Sequence, residues 1–190
     1  MKKTFFLLSL FLLLSCDPSE EQNAVRHSFN GMMIAFEKKD PGALYDISTV
    51  QVKKFFDYLL EKILNGQYKI NTHYPENRQK EALNSICWDF AADAMTGKMF
   101  FVAAVDPGLI PDLTERMAKV RAIYITGSQA KVKTESGDIF SFVKDPDGVY
   151  RTDIFLKSIK SLEWIHRVEE NLAVLDRNIE LIKKGTADLQ

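Results

Sequence analysis

Apolar positions change their spacing along this chain, and each spacing predicts a different kind of element. Phe5 to Leu14 is an apolar stretch interrupted only by Ser9, about half the roughly twenty residues that a bilayer-crossing helix needs. Steps of three and four then take over. Val25, Phe29, Met32, Met33 and Phe36 lay one stripe along a helix of about residues 20–38. Ser19 with Gln22 has capping-box spacing at its start. Asp40-Pro41-Gly42 breaks this helix after Lys38 and Lys39, with Asp40 placed to cap a short second helix whose first residue is Pro41. Ser48 or Thr49 caps a third, carried by Val52, Phe55, Phe56, Leu59, Leu60 and Ile63 and ended by Asn65-Gly66. Tyr68, Ile70, Thr72 and Tyr74 alternate, which predicts a strand over Gln67 to Tyr74 stopped by Pro75.

A fourth helix is expected from about Glu76 to Met95, with Leu83, Ile86, Cys87, Phe90, Ala91 and Ala94 inward and Gly97 at its end. Met99 to Val105 is uniformly apolar, so helix and strand both remain open there. Asp106-Pro107-Gly108 and Pro111 make a turn region, and Asp112 with Glu115 has capping spacing for one or two helical turns. From Val120 to Ile154 the pattern becomes short branched and aromatic runs parted by Gly127-Ser128, Glu135-Ser136-Gly137-Asp138 and Asp145-Pro146-Asp147-Gly148. That is an antiparallel meander with a glycine in each turn. Helices followed by hairpins give an α+β class, with the N-terminal helices on one face of a curved meander sheet. Phe55, Phe56 and Leu59 are expected to bury against that sheet.

The last helix, about Leu156 to Lys184, carries Ile165, Val168, Leu172, Leu175, Ile179 and Ile182 at alternating steps of three and four. This narrow seam resembles that of a coiled coil more than the broad stripe of a core helix. Two readings follow. The seam packs back on the domain's own helices, or it is an interaction seam for self-association or for a partner helix, a role its narrowness favours. Asn171 and Asn178 flank it.

Charge and cysteine content narrow the function. The chain has 25 basic and 26 acidic residues, and without Lys2 and Lys3 the balance becomes 23 against 26, a net charge of −3. A nucleic-acid binder would show a basic excess gathered on one face, so none is expected as a partner. Of the two cysteines, Cys87 sits between Ile86 and Trp88 in an apolar setting that favours a buried, inert thiol. No nucleophile elbow or phosphate-binding glycine loop is present. His27, His73 and His166 lie far apart with no metal-ligand spacing. Asp89 and Asp93 share a predicted helix face, where a solvated pair is the plain explanation. Catalytic residues, cofactors and metals are therefore all expected to be absent.

The first sixteen residues add an address. Lys2 and Lys3, the apolar run and Leu13-Leu14-Ser15-Cys16 resemble the signal peptide and lipobox of bacterial lipoproteins. The resemblance implies cleavage before Cys16, acylation of its sulfur and its new amino group, and a protein held on the cell membrane facing the periplasm or the outside. Asp17 matches the inner-membrane retention signal of enteric-type lipoproteins. The expected division is a signal peptide at 1–15, a lipidated cysteine and short tether at 16–23, an α+β domain at 24–154, and a C-terminal helix and tail at 155–190. Within the domain, Ile123 to Val132 and Asp147-Gly-Val-Tyr-Arg-Thr-Asp153 resemble strands of the cone-shaped fold of nuclear transport factor two. That likeness implies a cone-like outline shared with many bacterial lipoproteins and assigns no activity. The expectation is a membrane-anchored, non-catalytic binding or interaction module. The alternatives are a small cavity hydrolase or isomerase, for which the cone-fold likeness implies His27 or His73 beside Asp89 inside the cavity, and a structural envelope protein assembling through its last helix.

Overall fold

The computed structural model describes residues 19–117, 119–154, 156 and 164–185. The leader, Cys16 and part of the predicted last helix lie outside them. No described helix is long and apolar enough to cross a membrane.

The architecture is α+β, with helices first, then a meander, then a long helix. Helix α1 (Glu20–Glu37) begins at a complete capping box: the Gln22 N–H donates to Ser19 Oγ and the Ser19 N–H donates to Gln22 Oε1. Asp40 caps α2 (Pro41–Asp46) by accepting from the Ala43 N–H. Thr49 caps α3 (Val50–His73).

Here the structure departs from the sequence pattern. Gly66 does not end α3, and Gln67 to Tyr74 is no strand, since the helix runs on to His73. Gly66 is buried, and a Cβ there would meet Leu172 Cδ2 and Ile86 Cδ1 at 3.0 Å. The glycine is present for close helix packing, not for termination. The predicted fourth helix is also interrupted: α4 (Glu76–Ser85) and α5 (Trp88–Ala91) are separated at Cys87, which takes a left-handed conformation at φ 56°. Gly97 opens α6 (Gly97–Ala104) behind the cap Thr96, and this resolves the Met99 to Val105 ambiguity as helix. A 3-10 turn (Pro107–Leu109) and α7 (Thr114–Met117) lead into the sheet.

Strands β1 (Val120–Thr126), β2 (Gln129–Thr134), β3 (Ile139–Lys144) and β4 (Tyr150–Arg151) form an antiparallel sheet in sequential order. Its inner face is covered by α1, whose Phe29 ring meets Phe140 and Phe142 edge-on at 5.6 and 6.4 Å. The third helix turns elsewhere. Phe56 packs on Tyr45 of α2 and on Phe100 and Phe101 of α6, while Phe55 is only partly buried and meets Phe56 edge-on. Phe55, Phe56 and Leu59 thus serve a helix-on-helix core, because α1 already occupies the sheet.

Helix α8 (Trp164–Lys183) lies along α3 and α4. Its seam is the chain's own core: Ile165, Val168, Leu175 and Ile179 are buried, and Leu172 and Ile182 are packed against them. The Trp164 ring joins α8 to α6 through Phe100 at 5.7 Å.

Candidate functional site

Buried charge is concentrated at one corner, where α3 begins and the β3–β4 turn returns. A helix start leaves backbone N–H groups without partners and carries a partial positive charge. Two carboxylates arrive there from the far end of the chain. Asp153 Oδ1 accepts from both the Thr49 N–H (3.2 Å) and Thr49 Oγ1 (2.8 Å), and Asp145 Oδ2 accepts from the Val50 N–H at 3.0 Å. The Asp145 side chain is 2% exposed, so its charge requires a cation. Arg151 supplies it. Its Nη1 donates to Asp145 Oδ2 at 3.0 Å and to Asp147 Oδ1 at 2.7 Å, and Nη2 donates to Asp147 Oδ2 at 2.6 Å. Arg151 holds the Asp147 carboxyl down to about 2, with the Val149 N–H assisting. The Thr152 N–H donates to Ile47 O at 3.0 Å, stitching the same strand end to the end of α2.

A cleft of about 330 Å³ opens beside this network, lined by Thr49, Arg151 and Asp153 on one side and by Ile139, Ser141 and Val143 of β3 on the other. Lys53 stands one turn into α3. Its Nζ donates to Asp46 O at 2.9 Å and lies 5.9 Å from the Tyr45 ring centre. Burial, followed by the nearby Arg151 charge, lowers its pKa. Tyr45 beneath it is pushed up to about 12 by burial and by Asp57 and Asp46. The arrangement can hold a polar group against an apolar wall. It is poor general-base machinery, because both oxygens of Asp153 accept from Thr49 Oγ1 and Asp145 is paired to Arg151.

A second cleft of about 300 Å³ runs between α4 and α8, where Asn171 Nδ2 donates to Ser85 O at 2.7 Å and Asn178 hydrogen-bonds the Tyr74 side chain. A third holds His73 with Lys69, Asp176 and Glu180.

The residues singled out from sequence are dispersed. His27 is exposed on α1, His73 lines the third cleft, and Asp89 and Asp93 are exposed on and just beyond α5. None of these three clefts contains two of His27, His73 and Asp89. His166 is exposed. Cys87 is half-buried, and burial raises its thiol pKa. Among the described residues no group of three or more His, Cys, Asp or Glu is placed to hold a metal.

The corner itself was missed. By pattern alone Lys53 is one polar position of the third helix, and Asp145, Asp147, Arg151 and Asp153 are turn and strand residues. The available signal was their even spacing, with every interval a multiple of two through a tight turn, which puts acid, acid, arginine and acid on one side of the hairpin.

No family model, curated protein or solved structure matches the chain.

Proposed function

We propose that this protein is a lipid-anchored, extracytoplasmic envelope protein that acts as a non-catalytic binding module. The observation that carries the proposal is the leader, with its two lysines, short apolar run and Leu-Leu-Ser-Cys ending at Cys16. The start of the fold supports it. Ser19 is already the cap of α1, so only Asp17 and Pro18, three Cα-to-Cα steps, separate the Cys16 anchor from the domain. At no more than about 3.6 Å per residue that tether spans about 11 Å. The α1 start therefore lies close to the bilayer, together with Lys144, which donates to Glu21 at 2.7 Å, and the β1–β2 turn, whose Ser128 O accepts from the Lys144 N–H. Two or more acyl chains hold a protein on a membrane stably, where one chain does so marginally.

The binding half of the proposal draws support from the α3 corner, whose charges satisfy one another beside an open cleft. Mass spectrometry of the full chain from an expressing bacterium is expected to find it starting at an acylated Cys16, and Cys16→Ala to leave the leader uncleaved. An unmodified Cys16 in the wild-type protein overturns the anchor. A catalytic turnover that disappears on replacing His27, His73 or Asp89 overturns the non-catalytic half.

A further inference from the structure

We infer that the free edge of the sheet, strand β1, is a self-association surface on which a second copy of this chain adds its own β1 antiparallel, with Tyr124 at the twofold axis. The argument begins with hydrogen-bond register. Among the described residues β1 pairs with β2 alone. The two-residue turn Gly127-Ser128, with Gly127 at φ 58°, closes the hairpin on Thr126 and Gln129. Hydrogen-bonded pairs then recur at every second residue, Tyr124 with Lys131 and Ala122 with Lys133. The β2 backbone agrees: the Thr134 N–H donates to Asp138 O toward β3, and the Glu135 N–H donates to Lys119 O toward the β1 side. The N–H and C=O groups of Ile123 and Ile125 therefore face away from β2. Among the described residues they have no hydrogen-bond partner. Their side chains pack against the core, while Tyr124 stands on the outer face, 59% exposed.

Such an edge is a template for another strand unless proline, charge or a bulge blunts it. β1 has a bulge between Val120 and Ala122, with Arg121 inside it. From Ala122 to Thr126 there is no charge and no proline. This short window is complementary to itself. With Tyr124 opposite Tyr124, Ile123 of each copy faces Ile125 of the other, so the residues with outward groups exchange N–H to O bonds. Ala122 faces Thr126. On the outer face the central row reads Lys131, Tyr124, Tyr124, Lys131, and the rows on either side run from Lys133 across to Gln129. No like charges meet directly opposite. The pairing is isologous and closes on itself. A foreign extended peptide would need side-chain pockets along the edge for its specificity, and the clefts described above lie between α4 and α8, beside Lys69 and His73, and at the β3–β4 end instead. The inference goes beyond the binding reading above and stands whether or not Cys16 is lipidated.

Disulfide cross-linking tests it in whole cells expressing the full chain with Cys87→Ser. Facing residues in non-hydrogen-bonded pairs have Cα atoms about 4.5 Å apart, within disulfide reach. Tyr124→Cys is expected to convert most of the chain to a covalent dimer under mild oxidation. Tagged Ala122→Cys and Thr126→Cys chains, expressed together, are expected to form the mixed dimer. Lys131→Cys, exposed on the next strand, is expected to stay monomeric. All four positions are on the outer face, and circular dichroism checks the fold. No dimer from Tyr124→Cys, or as much from Lys131→Cys, overturns the proposal and leaves β1 to a foreign strand or to solvent. Without an added cysteine the Cys87→Ser chain forms a dimer only through a free Cys16 thiol, so failure of the anchor reading shows separately.

Discussion

Gly97→Ala tests how closely α6 is seated on α3. A Cβ at Gly97 would stand 2.5 Å from Asp57 Oδ1, 2.6 Å from Asp57 N and 2.9 Å from Phe56 C. Two of those atoms are backbone in the middle of a long helix and cannot rotate away. The α6 start would have to lift. Lifting breaks the 2.9 Å hydrogen bond from the Gly97 N–H to Asp57 Oδ1 and loosens Phe100 and Phe101 against Phe56. Overpacking of this kind costs about 1–3 kcal/mol, and loss of a hydrogen bond to a charged group about 1.5–3 kcal/mol. Alanine's advantage over glycine in a helix returns at most about 1 kcal/mol. The net expectation is a loss of about 2–4 kcal/mol, or about 5–15 °C in Tm for a chain of this size.

Gly66→Ala is the control for that reasoning. Its Cβ would meet only side-chain tips, Ile86 Cδ1 and Leu172 Cδ2 at 3.0 Å and Leu175 Cδ2 at 3.3 Å. Those tips can change rotamer, and the site is mid-helix, where alanine's advantage applies in full. Stability within about 1 kcal/mol of wild type is expected. Urea denaturation followed by circular dichroism measures both variants. Equal losses, or a Gly97→Ala chain as stable as wild type, would refute the distinction between backbone and side-chain contact on which the estimate rests.

Arg151→Met leaves Asp145 buried without its cation and should cost about 3 kcal/mol at neutral pH, with Asp145→Asn in the same chain restoring part of it. The pH dependence follows from Asp147, whose folded pKa of about 2 lies below its ordinary 3.8. A depressed carboxyl contributes stability above its unfolded pKa and loses it as pH falls through the folded one, so wild type should lose stability between about pH 4 and 2 and Arg151→Met should lose less there. Denaturation curves across that range check the sign, and an unchanged acid slope would contradict it. Tyr150→Phe should leave stability unchanged or raise it by about 1 kcal/mol, because the Tyr150 hydroxyl is buried with no hydrogen-bond partner among the described residues. A clear drop in Tm would mean that the hydroxyl is bonded in solution.

What could be read from sequence was what neighbours in sequence decide. The Ser19–Gln22 box, the Asp40-Pro41 start and the glycine turns of the meander all act within a few residues, and each formed as expected. The failures share the opposite property. A glycine inside a helical pattern signals an end or a close packing contact, and Ile86, Leu172 and Leu175, the last two more than a hundred residues away, show that Gly66 is the second kind. Cys87 breaks a helix with no proline or glycine to mark it. The apolar triplet Ile86-Cys87-Trp88 continues the helical spacing through the break. The α3 corner is the extreme case, since Thr49 and Val50 take their partners from 104 and 95 residues downstream. Nothing local announces those pairings.

The two association surfaces weighed for this chain differ in the same way. A narrow apolar seam reports how wide a helix's contact is and says nothing about whose surface it meets. On α8 the width is explained internally, because Gly66 lets Leu172 and Leu175 reach the α3 backbone and a broad stripe is not needed. The flanking asparagines are committed too: Asn171 donates to Ser85 O, and Asn178 pairs with Tyr74. Moving α8 to a partner would strand those groups along with the seam. The β1 edge carries the reverse imbalance, since Ile123 and Ile125 have backbone donors and acceptors that no described residue satisfies. Water satisfies them in a monomer, and a second strand does so while also burying the Tyr124 rings against each other. Unfinished hydrogen bonding, more than apolar pattern, is therefore what supports the proposed association at the sheet edge, while the α8 seam packs as core.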